Sequence, residues 1–131
     1  MMAAKQRISI LQDIFAICRF DKDDEIPHWA LRDKFVTITR TDEELSVLAP
    51  VSSIPNHIAS DGGWKCLKVE GPLKLNLSGI LASLIGPLAS AGIAVLAIAT
   101  YDTDYFLVKQ DRLELAVQIL LNEGHSISYS S

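Results

Sequence analysis

The chain has 131 residues and a formal net charge of −4. That is too short for several independent cores, and too acidic for the basic footprint that nucleic acid or an anionic membrane surface requires. Hydrophobic residues at 49% against charged residues at 21% make it a globular chain rather than a disordered one.

The start, MMAAKQR, lacks the apolar core of a signal peptide. The longest apolar span, residues 79–99, is interrupted by Ser83, Gly86-Pro87, Ser90 and Gly92, so it reads as helix then strand and not as a membrane span. Cys18 and Cys66 each sit inside an apolar run with no histidine or second cysteine at ligand spacing, as expected of buried thiols in a reducing compartment. A cytoplasmic location follows from these features.

In the first half, residues 14–20 (IFAICRF) predict a strand rich in β-branched and aromatic residues. Pro27 opens one or two helical turns through Leu31. Residues 35–39 (FVTIT) and 45–49 (LSVLA) are two further short strands. Between them Thr41-Asp42-Glu43-Glu44 matches a capping box, but no apolar helix follows, so a turn is expected. A single helical turn or a loop fills residues 50–55, and Gly62-Gly63 marks a soft boundary.

The second half is more regular. Residues 64–69 (WKCLKV) alternate as a strand, and a helix runs from Gly79 to about Ala91 with Ile80, Leu81, Leu84, Ile85 and Leu88 at helical spacing. Gly86-Pro87 should kink that helix, and Gly92 suits the left-handed position after its end. Residues 93–100 are apolar on both faces, which predicts a central, covered strand. Residues 105–109 form its hairpin partner. Asp111 and Glu114 predict a capping box for a second helix that ends at Gly124, and residues 125–129 supply a last strand. The order β-α-β-β-α-β over residues 64–129 makes an α+β, ferredoxin-like unit with an antiparallel four-stranded sheet and two helices on one face. The first half offers a shortened version of the same order.

Chemistry-bearing patterns are sparse. His28, His57 and His125 are far apart and none neighbours a nucleophile, so no catalytic residue is assigned. The acid-rich run Asp21-Lys22-Asp23-Asp24-Glu25 lacks the glycine and the distant glutamate of a calcium loop, so no metal site and no cofactor is assigned either. Two loops remain. The chain entering the helix, with Asn76, Ser78 and Gly79, leads to free backbone amides that favour a carboxylate, although Ser78 as a simple helix cap explains the same residues. Thr100, Asp102 and Asp104 offer acceptors for an ammonium group. Amide donors for a carboxylate and oxygen acceptors for an ammonium group are together what a free α-amino acid requires.

The segment EGPLKLNLSGILASLIGPLASAGIAVLAIATYDTDYFLVKQDRLELAVQIL resembles the ACT-domain family of small-ligand regulatory modules. It is most similar to bacterial tandem-ACT proteins, the aspartate kinase regulatory region and the cytosolic arginine-sensor family, with GILASLIGPLASAGI and ATYDTDYFLVK the most telling runs. FAICRF and FVTITRTDEELSVLAP resemble the first half of the same tandem proteins.

The resemblance implies two ACT-like units in tandem, an abbreviated one over residues 8–62 and a complete one over 63–131. It further implies a non-enzymatic module that binds an amino acid at the interface between ACT units and pairs as a homodimer through its sheets. The ligand would meet Leu77, Ser78, Gly79, Ile80 and Leu81 of the helix-entry loop and Thr100, Tyr101 and Asp104 of the hairpin. Ser46 and Val47 would supply a facing strand edge. The loop from Leu73 to Leu81 contains no acid, so a preference for arginine is not carried over. The alternative is a ligand-free oligomerisation or protein-interaction module, since some ACT units serve only to pair subunits.

Overall fold

The computed structural model describes residues 5–70 and 79–130. In chain order its strands are β1 (Arg7–Phe20), β2 (Thr37–Arg40), β3 (Leu45–Pro50), β4 (Asp61–Val69), β5 (Leu96–Ala99), β6 (Asp104–Lys109) and β7 (Ser126–Tyr129). Helix α1 (Ile80–Ser90) lies between β4 and β5, and α2 (Leu113–Asn122) between β6 and β7. The chain divides into two compact units, one of Asp13–Trp64 and the other combining Met1–Gln12 with Lys65–Ser131. Strands β1 and β4 each contribute to both.

In the unit Asp13–Trp64 the strand order is β2-β3-β1-β4. Strand β1 runs antiparallel to β3, with Cys18 opposite Val47 and Arg19 opposite Ser46, and β2 covers the far side of β3. Side chains alternate across a strand, so Ala16, Cys18, Val47 and Ala49 share one face and form a core with Ala30 and Ile54. Instead of long helices, single 3-10 turns at His28–Leu31 and Val51–Ser53 complete this unit. The small residues of that face suit such thin cover. At Thr41 the capping-box side chain does form, accepting from the Glu43 and Glu44 amides at 3.1 Å each, but it closes the β2–β3 turn and no helix.

In the other unit the order is β7-β1-β4-β6-β5, with both α-helices contributing to the core. Leu84 and Leu88 of α1 and Ala116 and Leu120 of α2 pack with Leu67, Val69, Phe106 and Val108 of the sheet. Pro87 lies inside α1 without ending it. Gly92, at φ +78°, then reverses the chain, so that its amide bonds the Ala89 carbonyl at 2.9 Å and the Ile93 amide bonds Leu88 at 3.0 Å. The same pair of bonds closes α2 through Gly124 and His125.

Four expectations change. Strand β1 begins at Arg7 rather than at residue 14, because Ile8 and Ile10 are buried in the helix-covered core. β7 therefore pairs with β1, in parallel with Ile8 opposite Ile127, and β1 separates it from β4. The sheet is thus not purely antiparallel. β5 ends the strand order with its residues alternating half-buried and exposed, so it is an edge strand, not a central one. Its alanines Ala97 and Ala99 are small enough to face outward at little cost. Lastly, a 3-10 turn at Gln110–Arg112 precedes α2, and the Asp111–Glu114 capping box does not form.

His125 joins the two ends of this unit. The residue is 5% exposed, and its Nδ1 accepts the Gln6 amide at 3.0 Å. Burial lowers its pKa from the ordinary 6.5, Lys5 lowers it further, and Glu123 partly offsets them. The unfolded chain therefore takes up the proton first as pH falls. Stability from this group is complete above about pH 6.5 and declines as pH drops below it toward the lower folded pKa. Urea midpoints should fall between about pH 7.5 and about pH 5, and the fall should be shallower in His125→Gln.

Candidate functional site

Strand β4, helix α1 and strand β5 form one crossover. In a ferredoxin-like unit two strands joined in this way run in the same direction with a third strand between them, here β6 between β4 and β5. In that fold the start of the first helix and the tip of the following hairpin belong to the same end of the sheet.

At the start of α1, Gly79 is the N-cap residue with φ +83°, a left-handed conformation that glycine alone adopts without strain. A Cβ there would meet no atom within 4 Å, so the demand for glycine comes from the backbone and not from crowding. Gly79 has no side chain with which to cap the helix, and it is exposed. The first amides of α1 lack intrahelical acceptors and carry the positive end of the helix dipole. Ile80 and Leu81 are half-buried and pack onto the core below. Asn76, Leu77 and Ser78 lie outside the described residues.

At the hairpin, Ala99 pairs with Asp104 across a four-residue turn. The Thr100 hydroxyl donates to the Thr103 carbonyl at 2.8 Å and accepts the Thr103 amide at 3.1 Å, so it is committed to the turn. This is the role that glycine or asparagine usually plays in a hairpin, supplied here by a threonine side chain. Tyr101 is 80% exposed, Asp102 is exposed, and Asp104 is half-buried at the first position of β6. Of the two acids, Asp104 is therefore the one held by the sheet.

Ser46 and Val47 belong to the other unit. Val47 is fully buried in that unit's core, and β3 is flanked by β2 and β1, so this strand offers no free edge. Ser46 points to the opposite face, where its hydroxyl donates to Glu44 Oε1 at 2.7 Å. It lines an open cleft of about 470 Å³ together with Ile17, Arg19, Glu44, Ser60 and Asp61. Sequence reasoning missed this cleft, because only cross-strand register sets Arg19 opposite Ser46.

Burial pushes the Cys66 thiol up to about 12, and it raises that of Cys18 as well. Neither is a thiolate at neutral pH. Among the described residues no group of three or more His, Cys, Asp or Glu is placed to hold a metal ion. No helix there is long and apolar enough to cross a membrane.

The helix-covered unit has a ferredoxin-like fold, which comparison with known proteins places in the general class of regulatory ligand-binding modules. An ACT-domain model matches residues 59–122, and a second model, described as an N-terminal domain, matches 13–57. A crystal structure from Agobacterium tumefaciens shares 37% identity and superimposes with a TM-score of 0.91, covering 98% of this chain and 96% of that one. Residues 59–122 therefore match the ACT-domain family.

More distant likenesses agree in fold. Aspartate kinase of Clostridium acetobutylicum matches at 11% identity with a TM-score of 0.68, over 93% of this chain and 35% of the kinase. The bovine protein named cytosolic arginine sensor for mTORC1 subunit 1 is 27% identical over 103 residues, which is 70% of this chain and 31% of the sensor. The chain thus spans about a third of that relative's length.

Proposed function

We propose that the chain is a non-enzymatic regulatory module that binds a free amino acid where ACT units of paired copies meet. The observation that carries this reading is the exposed, left-handed Gly79 at the start of α1, and the ferredoxin-like connectivity supports Asp104 as its neighbour at that end of the sheet. The amides of α1 take the ligand carboxylate, and Asp104 takes its ammonium group. Asn76, Leu77 and Ser78 enter the proposal as the residues that precede Gly79 in sequence. The family resemblance and the arginine-sensor name of a relative support an amino acid as the ligand class. A cytosolic setting is part of the same proposal.

Thermal unfolding of the full chain with each of the twenty L-amino acids tests it. One of them, at about a hundred times its dissociation constant, should add about 2.7 kcal/mol of stability, and its D-enantiomer should add much less. Asp104→Ala should weaken that ligand about tenfold while leaving stability within about 0.5 kcal/mol. A flat response to all twenty rejects the proposal.

A second reading rests on β5. Its outer edge, Leu96-Ala97-Ile98-Ala99, carries no charge or proline to discourage pairing with another sheet. On this reading the module only assembles subunits, and light scattering would show an oligomer whose mass no amino acid alters.

A further inference from the structure

We infer that the cleft beside Ser46, in the unit Asp13–Trp64, is a separate binding site for a free α-amino acid. The inference takes its ligand class in part from the proposed function, but its location and residues are different.

The charges of the cleft narrow the ligand. Arg19, Glu44 and Asp61 all line it, so one guanidinium and two carboxylates share a cavity of about 470 Å³. A phosphate or other simple anion would meet the two carboxylates, and a bare cation would meet the guanidinium. A small molecule carrying both charges satisfies both sides. The volume falls within the range of small-molecule sites, roughly 300–1,000 Å³, and Ile17 gives the floor an apolar patch for an uncharged side chain.

The polar groups are also held in place. Arg19 stands directly opposite Ser46 in the β1–β3 ladder, and its Nη2 donates to the Glu43 carbonyl at 3.2 Å. A guanidinium has five N–H donors, so this tether still leaves a fork for a ligand carboxylate. Glu44 is fixed twice: its amide bonds Thr41 Oγ1, and its Oε1 accepts the Ser46 hydroxyl. A carboxylate offers about four lone-pair positions, so one bond from Ser46 leaves capacity for an ammonium group. Side chains whose rotamers are already set lose less entropy when a ligand arrives. The arrangement arises from the turn, since Thr41 closes β2 onto β3 and thereby aims Glu44 along the same face as Ser46.

Titration of the ¹⁵N-labelled full chain with the twenty L-amino acids, followed by NMR, tests the assignment. For at least one amino acid, the amide signals of Arg19, Glu44, Ser46 and Ser60 should move and saturate. The carboxamide and the N-acetyl form of the same amino acid should leave them still. Arg19→Gln and Glu44→Gln should each weaken that response about tenfold or more, with circular dichroism confirming the fold of both. Movement confined to Gly79–Leu81 and Thr100–Asp104 overturns the cleft and leaves the proposed function standing. Saturable movement at the cleft alone supports the cleft and removes the other site. No movement at either place with any amino acid overturns both, and unchanged affinity in both variants overturns the cleft.

Discussion

Phe106→Ala lowers the unfolding free energy by about 3–5 kcal/mol. The ring is fully buried on β6, between β4 and β5, in the cluster that includes Leu84 and Leu88 of α1 and Ala116 and Leu120 of α2. Removing it forfeits the transfer free energy of the ring and leaves a cavity that two helices and a sheet cannot close together. Domains are stable by only about 5–15 kcal/mol, so this loss is a large share of the total. Urea unfolding followed by far-ultraviolet circular dichroism measures it. Tyr101→Ala is the control: that ring is 80% exposed, and its loss should stay within about 0.5 kcal/mol. A Phe106→Ala loss no larger than the control's would mean that β6 does not carry the core.

Ile8→Ala costs about 2–5 kcal/mol, although residue 8 lies far in sequence from the segment it stabilises. Ile8 is 1% exposed, stands opposite Ile127 in the parallel ladder, and belongs to the same core as Leu67, Val69 and Leu84. Were residues 64–129 a self-sufficient four-stranded sheet, a substitution at residue 8 would leave their stability near the wild type. The structure makes the opposite prediction, because β1 lies between β7 and β4 and both strands lose their neighbour's packing when it is truncated. Near-ultraviolet circular dichroism through the urea transition, with buried Trp64 reporting on the unit Asp13–Trp64 and buried Phe106 on the other, reads which part loosens. An Ile8→Ala protein as stable as wild type would refute the insertion of β1.

Both results depend on a distinction that runs through the whole chain. Local patterns were legible where each residue's partners sit within a few positions. The apolar spacing of Ile80, Leu81, Leu84 and Leu88 marked α1, and Gly92 and Gly124 marked the ends of both helices, because a helix face and a left-handed terminus are set by neighbours along the chain. The same holds for the β5–β6 hairpin, whose turn Thr100 and Thr103 close between themselves. Gly79 stood out by residue type, and its left-handed conformation explains why.

Pairing between distant strands left no such mark. The alternation Ile8-Ser9-Ile10 fits a buried strand, but nothing near it says that β7 will be its parallel neighbour. Residues 93–100 were apolar enough for a central strand, yet β5 ended at the edge, since a run of small apolar residues has the same composition in either place. The Asp111–Glu114 pattern was correct as a motif and unused as a cap, because a 3-10 turn already delivers the chain to α2. The cleft of Arg19, Glu44, Ser46 and Asp61 is the extreme case. Its charges come from three stretches of sequence and meet only through strand register, a long-range choice made by burying Cys18 and Val47 on the other face.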